Sequence, residues 1–137
     1  MSDKKLIEEG ESFIPKFNED GLIPAIAQDY ESGQILMVAY MNNEALELTI
    51  ETSQATYYSR SRKELWRKGQ ESGHGQQVKQ ILVDCDQDCL ILKVQLNAGQ
   101  CHVGYNSCFY RELNIKGKNT LKFIAEKVYD PKATYKK

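Results

Sequence analysis

The sequence carries almost no net charge, since 18 Lys and Arg stand against 19 Asp and Glu. Without an excess of either sign there is no whole-molecule electrostatic case for binding nucleic acid or an anionic membrane. No apolar run approaches the length of a membrane span, and the polar start Met1-Ser2-Asp3-Lys4-Lys5 is not a signal peptide. The expected setting is therefore the cytoplasm. Nothing repeats internally. Histidine is scarce, with 2 residues, and cysteine stops at 4. In a reducing compartment those cysteines are expected to be thiols or ligands rather than disulfides. A P-loop is excluded because its Gly and Lys spacing is missing, and the His-x-Glu and Cys-x-x-Cys pairing of zinc nucleobase deaminases is missing too.

What is present suits a globular protein, with 41% hydrophobic and 27% charged residues in 137. That length predicts one domain over residues 1–137 with a real core, and a flexible tail over 130–137. Residues 3–13 read as a short amphipathic helix on Leu6, Ile7 and Phe13. Leu22 to Tyr30 and Gln34 to Met41 read as a hairpin about Glu31-Ser32-Gly33. Asn42 or Asn43 caps a helix to about Thr52, with Ala45, Leu46, Leu48 and Ile50 as its core stripe. Thr56 to Ser61, Val78 to Val83 and Leu90 to Leu96 read as strands, with Tyr57 and Tyr58 on opposite faces of the first. Thr120 to Val128 reads as a helix on Leu121, Ile124, Ala125 and Val128. The expected class is α+β, a mostly antiparallel or mixed sheet with a few flanking helices.

The stretch hardest to explain as packing is Val83-Asp84-Cys85-Asp86-Gln87-Asp88-Cys89. If the extended backbone continues from Val83, Asp84, Asp86 and Asp88 share one face, about 7 Å apart, and Cys85 points to the other. Such carboxylates repel unless a hard cation such as Mg²⁺ joins them, or they are loop residues that cap turns. An EF-hand is excluded, because Cys89 and Gln95 stand where that loop needs Gly and Glu.

Two further segments are unusual. Ser59 to Gly75 puts Arg60, Arg62, Lys63, Arg67 and Lys68 beside small polar residues on what reads as loop, either a solvated basic face or a phosphate cradle. It ends in Ser72-Gly73-His74-Gly75, where His74 is placed to serve as acid or base. Cys101 and Cys108 share a turn-rich loop, and His102 beside Cys101 can bind metal or move a proton. Zinc accepts thiolates, and a catalytic zinc keeps three protein ligands and one open position. Cys89 opens an apolar strand and reads as core filling.

The order Leu65-Trp66-Arg67-Lys68-Gly69…Ser72-Gly73-His74, then Asp84-Cys85-Asp86-x-Asp88, then Cys101-His102…Ser107-Cys108-Phe109-Tyr110-Arg111 resembles the phosphoribosyl-AMP cyclohydrolases of histidine biosynthesis. The likeness runs from about Asp29 to Arg111. Val103 and Tyr105-Asn106 depart from it, replacing the usual Thr and an Arg-rich pair. The resemblance implies Zn²⁺ on Cys85, Cys101 and Cys108, Mg²⁺ on Asp84, Asp86 and Asp88, and an intertwined homodimer whose zinc ligands come from both chains. It implies water attack at C6 of the adenine ring of 1-(5-phosphoribosyl)-AMP and opening of the N1–C6 bond. His102 or His74 would be the base, and Arg60, Arg62, Trp66, Arg67, Lys68 and Ser72 would bind the substrate. A fused pyrophosphohydrolase domain is not expected in a chain of this length. Pleat geometry points to the dimer too, because Cys85 and the aspartates on opposite faces of one strand cannot both face one substrate. The competing reading is a non-catalytic zinc module, closed by His102 or Cys89 as fourth ligand.

Overall fold

The computed structural model describes residues 3–68, 75–96, 107–117 and 119–127. Its elements are α1 (Asp3–Glu9), β1 (Ile23–Asp29), β2 (Ile35–Met41), α2 (Asn43–Thr52), β3 (Thr56–Ser59), β4 (Glu64–Arg67), β5 (Gln76–Val83), β6 (Leu90–Leu96), β7 (Arg111–Leu113) and β8 (Leu121–Phe123). The class is α+β. The main sheet has the order β2-β1-β6-β5, with β1 antiparallel to β2, β6 antiparallel to β5, and β1 parallel to β6.

Strict alternation decides which strands lie at the centre. Ile23, Ala25 and Ala27 of β1 and Leu90, Leu92 and Val94 of β6 are fully buried, while the residues between them are half-buried. A fully buried side chain of the size of Leu92 contributes about 1.5–3 kcal/mol. Helix α2 packs against β3 and β2, and its Ala45 and Leu46 join the same core.

Helix α2 starts where Asn42 caps it, the side chain accepting from the Ala45 N–H at 2.8 Å. It ends at Ser53, which takes the left-handed conformation. Its buried face is Ala45, Leu46 and Thr49, not the expected Ala45, Leu46, Leu48 and Ile50. Thr49 takes the inward place because its hydroxyl has three backbone partners. It donates to Ala45 O and Thr56 O and accepts from Thr56 N–H at 3.0 Å. Ile50, one residue on, is turned outward at 56% exposure.

Three further expectations are corrected. The first helix stops at Glu9, buries nothing, and leaves Leu6 and Phe13 exposed; Gly10 closes it by donating to Leu6 O at 3.1 Å. Part of the basic segment after Ser59 is strand and not loop, since Glu64–Arg67 form β4 and pair antiparallel with β3, setting Trp66 opposite Tyr57, while Arg60 to Lys63 make the turn. Their rings stand 5.2 Å apart, and burial of that cross-strand pair is what draws the segment into a sheet. The expected C-terminal helix is a hairpin. Gly117 and Asn119 take positive φ, Asn114 N–H donates to Thr120 O, and Leu121 and Ile124 are 52% and 56% exposed instead of facing inward. Ala125 is exposed as well, while Val128 and the tail 130–137 lie outside the described residues. Apolar spacing alone suggested a helix there, but among the described residues the stripe stays exposed.

Candidate metal centre

The strand run of β5 ends at Val83, and Asp84 to Cys89 form the turn into β6. Two backbone bonds close it: Asp84 N–H to Cys89 O at 3.2 Å and Gln87 N–H to Asp84 O at 3.0 Å. One carboxylate oxygen of Asp84 accepts from both Asp88 N–H and Cys89 N–H, at 2.9 and 3.1 Å. Gln87 sits in the left-handed region at φ 58°. The backbone is therefore not extended, and the alternation of faces does not apply. Asp84, Cys85 and Asp86 instead bring one ligand atom each to within 4.8 Å of one another, all exposed. Among the described residues this is the one group of three metal-capable side chains. Pleat geometry consequently gives no argument for a dimer, because Cys85 lies on the same side as two of the aspartates.

The charges in the turn are mutually unfavourable. The carboxylate of Asp86 most of all, with smaller effects of desolvation, Asp84 and Glu8, pushes the Cys85 thiol up. Asp88 is raised chiefly by its hydrogen bond with the Asp84 carboxyl. Burial, then Asp84 and Asp88, raise Cys89. A bound cation would favour the deprotonated form of each of these groups. Three hard oxygen donors and one thiol on a single turn fit both Mg²⁺ and Zn²⁺ chemistry.

Cys108 is exposed but its backbone is fixed on β2, its N–H donating to Leu36 O at 2.6 Å. The buried Ser107 beside it donates its hydroxyl to Ile35 O at 2.7 Å and accepts from Phe109 N–H at 2.9 Å. In the sheet order β2-β1-β6-β5, Cys108 lies against one edge strand and Cys85 follows the other. In a flat sheet three strand spacings would put those edges about 14 Å apart. The edges approach where Gln76, at the start of β5, donates to the Met37 sulfur at 3.3 Å, but Cys85 follows the other end of β5. Cys85 and Cys108 thus belong to opposite edge strands of the sheet.

Comparison with known proteins gives the family. Residues 37–110 match the family model described as phosphoribosyl-AMP cyclohydrolase. A phosphoribosyl-AMP cyclohydrolase of Chlorobium limicola is 50% identical over 137 residues, covering 97% of this chain and 100% of its own. One from Methanococcoides burtonii is 55% identical over 120 residues, covering 88% of this chain and 94% of its own. The chain belongs to the phosphoribosyl-AMP cyclohydrolase family. It is thus an enzyme, a hydrolase, and the non-catalytic zinc module no longer accounts for it. No helix among the described residues is long and apolar enough to cross a membrane.

In this cyclohydrolase family member the basic residues ride on the β3–β4 hairpin. The Arg60 guanidinium stacks 4.1 Å over the Tyr40 ring of β2, and Arg62 meets Glu64 at 3.7 Å in an exposed pair. Lys68 lies 6.0 Å from the Trp66 ring, and its N–H donates to Ala55 O. Arg67 stands opposite Thr56 at the end of the hairpin. The hairpin is tied to β5 by Ala55 N–H donating to Gln76 O and by the Tyr57 hydroxyl donating to Gln76 Oε1 at 2.6 Å. His74, Ser72, Cys101 and His102 lie outside the described residues, as do Val103, Tyr105 and Asn106. Reading the sequence overlooked Gln87, which is buried in the middle of the exposed turn. Its only signal is an uncharged residue inside a carboxylate run.

Proposed function

We propose that the protein hydrolyses 1-(5-phosphoribosyl)-AMP in histidine biosynthesis, opening the N1–C6 bond of its adenine ring, as a cytoplasmic homodimer. The observation that carries this is the convergence of Asp84, Cys85 and Asp86 on one turn, in a chain of this family. Bound zinc would supply an acidified water and Mg²⁺ a clamp for phosphate or ribose oxygens. Cys85, Cys101 and Cys108 would hold the zinc, and Asp84, Asp86 and Asp88 the magnesium. The placement of Cys85 and Cys108 on opposite edge strands supports a site shared between chains, Cys85 of one protomer meeting Cys108 of the partner subunit. So does the β7–β8 hairpin, which leaves Leu113, Leu121 and Phe123 more than half exposed. Apolar side chains gathered on one hairpin suit an interface.

Three thiolates already neutralise a zinc ion, so they acidify water less than neutral imidazoles do, and a protein base is needed. His102 or His74 would take that proton. N1 substitution makes the adenine ring cationic, which favours attack at C6. Arg60, Arg62, Arg67, Lys68 and Ser72 would bind the phosphate arms, with Trp66 beside them. Arg60 is already fixed on Tyr40, so little of its side-chain freedom is left to lose. The test is a spectrophotometric assay of ring opening on zinc-stripped and zinc-restored protein. Turnover that returns with zinc is expected. No turnover with zinc and magnesium both supplied would overturn the assignment.

A further inference from the structure

The side chain of Gln87 is the one long polar group that the turn buries, at 5% exposure, while Asp84, Cys85 and Asp86 around it are exposed. Its amide is fully engaged, and every partner lies in the N-terminal segment. The Oε1 accepts from Ile14 N–H at 2.6 Å, and the Nε2 donates to Ile7 O at 3.0 Å and Ser12 O at 3.2 Å. Its backbone carbonyl accepts from Lys16 N–H at 2.7 Å. Toward the turn, its own N–H donates to Asp84 O, and Asp84 in turn holds Asp88 and Cys89 through its carboxylate. One residue thus joins two segments more than seventy positions apart.

The conformation of Gln87 makes the arrangement more than incidental. A side chain at φ 58° costs roughly 1 kcal/mol in a residue other than Gly, Asn or Asp. Asn would sit there more easily, but its shorter side chain cannot span to Ile7, Ser12 and Ile14. Helix α1 buries nothing, so it adds no apolar packing to this hold. The N-terminal segment also walls a cleft of about 310 Å³, in which Glu8, Ser12 and Phe13 face Asp84 and Cys85.

We infer that Gln87 is a positioning residue for the metal-binding turn, clipping residues 7–16 to it so that Asp84, Cys85, Asp86 and Asp88 are set before a cation arrives. The inference rests on the metal reading of the turn given above. It adds a second role to the N-terminal segment, which becomes a support for the ligands. Residues that orient metal ligands from behind typically change affinity by about 10–100-fold when lost. Coupling between clip and cation is reciprocal: whatever the clip adds to cation affinity, the cation adds to the stability of the clip.

The experiment is a Mg²⁺ titration of full-length protein labelled with ¹⁵N, following the Asp88 and Cys89 amides and hydrogen exchange at the Ile14 amide. In the wild type, Mg²⁺ is expected to shift the two turn amides and slow Ile14 exchange. Gln87→Asn is expected to keep the turn backbone, weaken Mg²⁺ about tenfold or more, and abolish the effect of Mg²⁺ on Ile14. Gln87→Met, equal in length but without the amide, is expected to behave in the same way. A merely structural role would lower stability and leave the Mg²⁺ dependence of Ile14 unchanged. Either variant binding Mg²⁺ like wild type would overturn the inference. So would Ile14 exchange that ignores saturating Mg²⁺ in the wild type, a result that requires no variant to fold. Absence of any Mg²⁺ shift at Asp88 and Cys89 in the wild type would remove the metal reading itself, and the clip's role with it.

Discussion

Mixing two inactive variants tests whether the zinc site is shared, and the sheet order sets the expected yield. Cys108 is bonded to β2 and Cys85 follows β5, with β1 and β6 between them. If a site takes Cys85 from one protomer and Cys108 from the other, a homodimer has two such sites. A Cys85→Ala homodimer lacks the ligand in both, and so does a Cys108→Ala homodimer. A heterodimer of the two variants concentrates both losses in one site and leaves the other intact. Equal amounts co-refolded give heterodimers as about half of all dimers, each with one complete site of two, so about a quarter of wild-type turnover should return. The same fraction should appear in zinc content by atomic absorption. Cys101 is unaltered in both variants, so the outcome does not depend on which chain supplies it. Native mass spectrometry confirms the heterodimer. If heterodimers form and turnover stays at the level of the parents, Cys85 and Cys108 act within one chain and the shared site is wrong.

Four other outcomes are expected. Asp86→Asn should lower the Cys85 pKa, since the Asp86 charge is the main cause of its elevation; metal-free protein should then alkylate faster at pH 7, measured with iodoacetamide. Mg²⁺ affinity should fall as pH drops through the raised Asp88 pKa, because the proton held between Asp88 and Asp84 competes with the cation; calorimetry in two buffers should show proton release on binding. Thr49→Val keeps the shape of the side chain but strips Thr56 of its partner for a buried N–H, and should cost about 1–3 kcal/mol in urea unfolding. Phe123→Ser combined with Leu121→Ser should shift the protein toward monomer in ultracentrifugation and reduce turnover in parallel; an active, zinc-loaded monomer would refute the dimer.

Much of the fold was legible because its central strands are locally consistent. The alternation Ile23, Ala25, Ala27 and the apolar run from Leu90 report burial directly, and Asn42 signals its helix by capping chemistry. Where reading failed, the deciding partner lay on another strand. Leu65 and Trp66 become a strand because Tyr57 and Tyr58 lie opposite, and the stripe that opens at Leu121 pairs with Arg111 to Leu113 as a hairpin. Parallel pairing of β1 with β6 likewise left no local trace.

The Asp84–Asp88 run shows the same limit at the site. Turn capping and metal binding read as alternatives in the sequence, yet the geometry makes them compatible. Asp84 spends one oxygen on the Asp88 and Cys89 amides, and this folds the chain so that Cys85 and Asp86 come round beside it. A straight strand would have separated the thiol from the carboxylates by the thickness of the sheet. The cap therefore builds the cluster, and Gln87 at positive φ holds the curve that an all-aspartate turn would resist through its own repulsion. Removing the Asp84 oxygens altogether, as in Asp84→Ala, should cost the turn its shape as well as a ligand. Asp86→Asn should cost only a ligand. Hydrogen exchange at Asp88 and Cys89 separates the two, fast in the first variant and unchanged in the second.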